Sequence, residues 1–158
     1  SDMRIGLGID THQLIAGSQL KLCGITIPFN KKIKAHSDGD IIYHACADAI
    51  YGAASLGDIG EHFPDSDPMN KNLNSETIIL HSYKLISELG FKVNNIDITI
   101  MLEAPKLTSY KEKMIQNLAN LLKIANSSVN IKASTSESLG FIGKGEGVTC
   151  YCIVSLVK

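Results

Sequence analysis

The chain has 158 residues, 44% of them hydrophobic and 20% charged, with a formal net charge of −1. That is enough chain to bury a core without disulfide or metal staples, so residues 1–158 read as a single domain. A charge this close to zero excludes a chain-wide attraction to nucleic acid or to an anionic membrane, and no apolar run approaches the ~18 residues of a membrane span.

Ser1 and Asp2, ahead of Met3, read as a cloning remnant. Residues 4–9 (RIGLGI) alternate and predict a strand, and GIDTHQ at 8–13 looks like its buried end. Residues 20–28 (LKLCGITIP) predict a short hairpin around Gly24. From Asp40 to Ala54, the apolar positions Ile42, Cys46, Ala49, Ile50 and Ala53 fall at helical spacing. Gly, Pro, Asp and Asn recur through 56–74, which marks a long loop of the functional or mobile kind. Ser75 is the expected N-cap of a helix running to about Leu89 and closed by Gly90. Ile96, Ile98, Ile100 and Leu102 alternate with polar residues, as in a half-buried strand. Ser109-x-x-Glu112 has the form of a capping box, and Met114, Leu118, Leu121 and Leu122 follow on one helical stripe. Residues 129–134 and 147–157 predict two more strands. In the last of these Cys150 and Cys152 point to one face, a poor disulfide geometry. Together with Cys23 and Cys46 they read as reduced core thiols of a cytosol-like compartment. The product is an α+β sandwich: one mixed β-sheet with helices packed on one face.

Several stretches carry chemistry. Asp10 and His12 sit at i and i+2 of a strand, so both side chains leave the same face and can reach one ion. Read alone, the pair is short and common, and a carboxylate that merely orients an imidazole is the plainer account. His44 is different: its helical neighbours at i−4 and i+4 are Asp40 and Asp48, away from the Ile42/Cys46/Ile50 stripe where a core histidine would sit. One Asp and two His supply three ligands with an open fourth position, which suits catalytic zinc and equally a non-haem iron facial triad. Asp48, one turn on, is either an outer partner of His44 or, equally, an ordinary exposed helical Asp. Asp58, Asp65 and Asp67 stand among Gly and Pro, either as ordinary turn residues or as a flap carrying carboxylates and amides to a polyol or phosphate. No role follows from spacing for Glu61 or His62. At the end of a strand, Ser134, Thr135, Ser136 and Glu137 precede a Gly-rich segment with Lys144. Hydroxyls, free amides and a cation are what a phosphate needs, and Glu137 is a hard oxygen ligand for Mg²⁺. LEAPKLTSY at 102–110 joins a strand's carboxyl end to a helix N-terminus, a connection or a base or phosphate pocket. There is no Walker loop and no dinucleotide fingerprint.

The order of these pieces is more specific than any one of them. G-x-D-x-H, A-H-S-D-G-D with a His four residues on, D-I-G-x-x-F-P-D-x-D, A-P-K, and a late T-x-E-x-L-G-F-x-G-x-x-E-G follow one another along the chain. Over residues 3–158 the sequence closely resembles the 2-C-methyl-D-erythritol 2,4-cyclodiphosphate synthase family of the non-mevalonate isoprenoid pathway. The resemblance implies a cytoplasmic homotrimer, or a plastid-type location had a targeting segment been trimmed, with active sites between subunits. It implies zinc on Asp10, His12 and His44, with Thr11 alongside, and a substrate phosphate oxygen as the fourth ligand. It places His36 and Ser37 at the phosphates, Asp58, Ile59 and Gly60 at the ribose and erythritol, and Phe63, Pro64, Asp65, Ser66 and Asp67 in a flap. Leu102, Glu103, Ala104, Pro105, Lys106, Leu107 and Thr108 would form a cytidine pocket lent by the adjacent subunit. Ser134, Thr135, Ser136 and Glu137 would hold the diphosphate and a Mg²⁺ or Mn²⁺ ion, with Phe141 and Lys144 completing the contacts. Relatives usually carry Arg in place of Lys144, and lysine keeps the charge but loses the bidentate fork.

The implied reaction is a phosphorus–oxygen lyase step. In 4-diphosphocytidyl-2-C-methyl-D-erythritol 2-phosphate, the 2-phosphate attacks the β-phosphorus, CMP leaves and a cyclic diphosphate forms. His36 and Thr135 are the expected transition-state stabilisers. Two rivals predict other outcomes: a zinc hydrolase yields a product without a cyclic diphosphate, and a trimeric nucleotide-binding module turns nothing over.

Overall fold

The computed structural model describes residues 2–158; Ser1, half of the expected remnant, lies outside the described residues. The strands are β1 (Met3–Ala16), β2 (Gln19–Leu22), β3 (Ile25–Pro28), β4 (Lys31–Ile33), β5 (Lys92–Met101), β6 (Val129–Ser134) and β7 (Gly147–Val157). The helices are α1 (Ile41–Ala53), α2 (Ile59–His62), α3 (Ser75–Glu88), α4 (Lys111–Leu122) and α5 (Gly140–Gly143). Five strands form one sheet in the order β4-β1-β7-β5-β6, and β2 and β3 form a separate hairpin. Only β5 and β6 run parallel, so the sheet is mixed, as expected.

The hairpin turns at Cys23 and Gly24, both with positive φ (49° and 79°), the backbone of a two-residue turn that matches strand twist. β1 is longer than the alternation of residues 4–9 predicts, and β4, which carries few apolar residues, escapes prediction altogether. Alternation alone does not say which face of β1 turns inward, and here it is the glycine face. Met3, Ile5, Leu7 and Ile9 point outward and are 62%, 70%, 56% and 52% exposed, while Gly6 and Gly8 point at the helices. Tyr151 and Ile153 on β7 continue this open apolar face.

The glycines explain the inner packing. A Cβ on Gly8 would overlap the carbonyl oxygen of Ala45 and come within 2.8 Å of the Ala49 nitrogen, and one on Gly6 would meet Ala49 and Ala53 in the same way. Ala45, Ala49 and Ala53 lie at i, i+4 and i+8, so α1 presents a stripe of methyl groups and rests its backbone directly on β1. Ten of the thirteen residues of α1 are buried; the other three, His44, Asp48 and Gly52, are again at i, i+4 and i+8 and form its one open line. Asp40 does not join that line. It is fully buried and caps α1, accepting from the backbone nitrogens of Tyr43 (3.2 Å), Cys23 (2.8 Å) and Gly24 (2.8 Å).

Other local expectations are corrected by the caps. α3 is capped by Asn74, whose side chain accepts from the Glu76 nitrogen, and Ser75 is its first helical residue; Gly90 follows at φ +85°, as expected of a helix stop. The Ser109/Glu112 capping box does not form, because a turn of 3₁₀-helix over Thr108–Tyr110 runs straight into α4 with no side-chain cap. Met114, Leu118 and Leu122 are buried as the stripe requires, whereas Leu121 is half-buried. The loop at 56–74 contains α2 and a 3₁₀ turn at Pro68–Asn70. All four cysteines are free and buried, with Cys46 and Cys152 sulfurs 3.3 Å apart across the α1–β7 contact.

Candidate metal centre and adjoining pocket

β1 and α1 bring the three expected ligands together. Asp10 Oδ2 lies 2.9 Å from His12 Nε2 and 3.5 Å from His44 Nδ1. One ligand atom from each residue falls within 4.8 Å of the others, and among the described residues this is the one such group of three. The direct seat of α1 on the glycines of β1 sets the separation: His44 lies one residue before Ala45, and Asp10 two residues after Gly8.

The outer nitrogen of each imidazole is already engaged. His12 Nδ1 is 3.1 Å from the Lys34 carbonyl, which can only accept. His44 Nε2 is 2.8 Å from Ser75 Oγ and 3.1 Å from Ser37 Oγ. Burial works to raise the Asp10 pKa, but the hydrogen bond from His12 and the proximity of the two imidazoles prevail and hold it below the usual carboxylate range. His12 moves the opposite way: its hydrogen bond to Asp10 raises its pKa against the effect of burial. Two imidazoles and a carboxylate that share a proton at such separations can exchange it for a divalent cation, so the donor set fits a metal.

The triad opens into a cavity of about 360 Å³. Its wall includes His36, Ser37, Ile59, Gly60, Phe63, Pro64 and Asp65, all expected site residues, together with Ala35, Asn70, Leu73 and Ile78, which sequence patterning does not single out. Asp58 lines a shallower recess beside it with Ile9, Asp48 and His44. Of the two roles open to Asp48, it does not take that of a His44 partner; it accepts from the Ile59 nitrogen at 3.0 Å and so ties the loop to α1. Burial, with like charge from Asp58 and Asp10, pushes the Asp48 carboxyl up. Asp58 caps α2 through the Glu61 nitrogen, and Asp67 caps the 3₁₀ turn through Met69, so both also perform the turn role open to them. Ser66 is exposed and outside the cavity wall. His62, without a role on spacing grounds, stacks on Tyr51 at 4.2 Å and donates to the Leu56 carbonyl, fixing the loop's inner side.

The remaining expected residues do not join this cavity within one chain. Thr11 points to the other face of β1, its hydroxyl 2.9 Å from that of Thr149. Ser134 to Glu137 leave the end of β6 beside the end of β5, where the Leu102 nitrogen donates to the Ser134 carbonyl at 3.0 Å. The Ser136 nitrogen donates to Glu103 at 2.7 Å, joining the two segments. Glu137 is exposed with φ +55°, a left-handed turn that carries its carboxylate away from the strand, and it belongs to no acidic or imidazole cluster among the described residues. Ala104, Lys106 and Thr108 are exposed, but Leu102 and Leu107 are buried in the core, so only their backbone can meet a ligand. Glu103, Ala104 and Lys144 line a second cavity of about 340 Å³ with Lys31 and Phe29. Phe141, on α5, is 46% exposed and covers Gly147.

Among proteins of known family, the model of the YgbB family matches residues 3–157. A 2-C-methyl-D-erythritol 2,4-cyclodiphosphate synthase from Desulfatibacillum aliphaticivorans is 46% identical over 154 residues, covering 98% of this chain and 99% of that protein. The bifunctional IspDF of Campylobacter jejuni superposes with a TM-score of 0.94 at 42% identity; the match covers 98% of this chain and 42% of that longer one. IspF of Plasmodium falciparum, solved as a CDP complex, superposes with a TM-score of 0.87 at 33% identity over 98% of this chain and 96% of that one.

Proposed function

The chain belongs to the YgbB family, and on that premise we propose that its cyclodiphosphate synthase activity in isoprenoid biosynthesis runs at the Asp10/His12/His44 cavity. The substrate is 4-diphosphocytidyl-2-C-methyl-D-erythritol 2-phosphate, and the products are the 2,4-cyclodiphosphate and CMP, a phosphorus–oxygen lyase reaction. The observation that carries this reading is a preformed three-ligand centre opening onto a cavity of substrate-like size beneath the Ile59–Asp65 loop.

The ligand set suits a divalent metal with one open position, and the family resemblance favours zinc over iron. A zinc ion there would supply Lewis acidity and a template for a phosphate oxygen. The chain's own residues do the rest. Asp10, His12 and His44 would hold the ion, and the outer nitrogens of both imidazoles are already bonded. Ser37 and His36 stand on the cavity wall, where a hydroxyl and an imidazole can meet phosphate oxygens. Ile59, Gly60, Phe63 and Pro64 close the side toward the loop and exclude water from the methylerythritol. No protein nucleophile is needed, because the attacking phosphate is already anionic and tethered; alignment and charge neutralisation carry the barrier reduction.

The diphosphate, the cytidine and a Mg²⁺ or Mn²⁺ ion are assigned to Ser134–Glu137, Leu102–Thr108, Phe141 and Lys144, with Thr135 as a stabilising donor. Because none of these lines the triad cavity in one chain, and Glu103, Ala104 and Lys144 line a separate one, the proposal requires a neighbouring subunit to bring them to the triad. The open apolar face of Ile5, Leu7, Ile9, Tyr151 and Ile153 supports a homotrimer, since exposed patches of that kind mark subunit contacts. A cytoplasmic setting agrees with four free buried thiols. Phosphorus NMR of substrate with protein, with and without chelator, tests the whole reading. A cyclic diphosphate that disappears on chelation supports it; a linear hydrolysis product, or no turnover, would sink it.

A further inference from the structure

His44 must present a bare Nδ1 to the metal, and the imidazole by itself does not choose which nitrogen carries its proton. Behind it runs a chain of side chains from three separate segments. Ser75 Oγ, 2.8 Å from His44 Nε2, donates its own proton to Asp38 Oδ1 at 2.5 Å. Its single donor thus committed, Ser75 can only accept from His44, which places the imidazole proton on Nε2 and leaves Nδ1 free toward Asp10. Asp38 is itself pinned: Oδ2 accepts from the Ser75 nitrogen at 2.9 Å and from Lys21 Nζ at 3.0 Å, and Oδ1 accepts from the Asp40 nitrogen at 3.2 Å. Burial works to raise the Asp38 pKa, but the Ser75 and Lys21 hydrogen bonds prevail and keep it ionised.

We propose that Asp38 and Ser75 are positioning residues that fix the tautomer and angle of the metal ligand His44. The proposal rests on the metal reading above. It goes beyond it because neither residue touches the metal or the substrate. The relay is asymmetric, and one substitution should reverse it. In Asp38→Asn the amide oxygen is favoured at the Oδ2 position, where it keeps the Lys21 ammonium and the Ser75 nitrogen at the expense of the single, longer bond from the Asp40 nitrogen to Oδ1, and this turns the NH₂ group toward Ser75 Oγ. Ser75 must then accept from Asn and donate to His44 Nε2, so the proton moves to Nδ1 and confronts the metal. Ser75→Ala merely cuts the relay and leaves both tautomers available, with Ser37 at 3.1 Å as the remaining partner of Nε2.

The test uses the full chain. In metal-free protein, long-range proton–nitrogen NMR correlations of the histidines are expected to show His44 protonated on Nε2 in the wild type and on Nδ1 in Asp38→Asn. Co²⁺ titration against a competing chelator should show affinity weakened on the order of 10- to 100-fold in Asp38→Asn and by a smaller factor in Ser75→Ala. A purely structural role would lower the urea midpoint without moving the tautomer. Should Asp38→Asn fail to fold, the wild-type tautomer and the Ser75→Ala titration still decide. His44 protonated on Nδ1 in the wild type, or wild-type Co²⁺ affinity in the variants, overturns the proposal. A wild type that takes up no Co²⁺ fails the metal reading instead, and the tautomer measured without metal tells the two failures apart.

Discussion

Substituting Gly8 by Ala adds one methyl group at the point where α1 touches β1. The new Cβ would stand 2.8 Å from the Ala49 nitrogen and overlap the Ala45 carbonyl, against an ordinary contact of 3.4 Å. α1 must therefore retreat by at least about 0.6 Å, and cores resist such overpacking at a cost of roughly 1–3 kcal/mol. His44 rides on α1 next to Ala45, while Asp10 and His12 stay on β1. Metal–ligand distances tolerate about ±0.2 Å, so the retreat opens the triad even if the domain still folds. Gly8→Ala should lower the urea midpoint and, in protein still folded, reduce bound zinc after dialysis. Gly52→Ala on the same helix is the control: its Cβ would meet nothing within 4 Å, and it should stabilise by up to about 1 kcal/mol and keep full metal content. A Gly8→Ala protein with wild-type stability and metal content would refute the idea that backbone-on-backbone packing sets the ligand geometry.

Three further expectations follow. His44→Ala should abolish zinc binding and turnover while the chain remains folded, and metal analysis showing normal zinc would displace His44 from the ligand set. Glu137→Gln should raise the Mg²⁺ concentration needed for half-maximal rate, and an unchanged titration curve would remove Glu137 from the second ion. Asp40 governs a pH effect. Burial pushes its carboxyl up to about 6 despite three backbone donors. An unfolded Asp titrates near ~3.9, so between about pH 4 and 6 the native state binds more protons, and this group's contribution makes stability fall as pH rises through that window and stay flat above it. Asp10 and Asp38, whose pKa values are lowered, contribute the opposite slope at more acid pH, below about 4. Asp40→Asn keeps an acceptor for Cys23 and Tyr43 and should erase the decline; urea unfolding at pH 4.5 and 7 measures it, and a slope equal to wild type would be the contrary result.

Much of the fold was legible because the signals are local. The Ile96/Ile98/Ile100 alternation, the helical spacing from Ile42 to Ala53, and the turn around Gly24 are patterns within one or two turns of chain, and each became the expected element. The triad was legible in part for the same reason: strand periodicity puts Asp10 and His12 on one face, and helical periodicity puts His44 off the apolar stripe. The family resemblance then joined segments that periodicity alone leaves apart. The capping box failed although its spacing was right, since a 3₁₀ turn occupies the place where Ser109 would cap.

What the amino-acid order determined by itself was thus the elements, their periodicity and the kinds of ligand available. Only the tertiary structure decided which face of β1 turns inward, because an alternating strand offers two faces and the glycines had to meet α1 for Ile5, Leu7 and Ile9 to turn out. It alone made Asp40 a buried cap instead of a surface neighbour of His44, and it alone set Asp38 and Ser75 behind that histidine. His44 and Ser75 are 31 residues apart and Asp38 and Ser75 are 37 apart, and no local period relates positions so distant. Packing of α3 against α1 brings them within hydrogen-bond reach, and the low dielectric there makes leaving any of them unpaired costly.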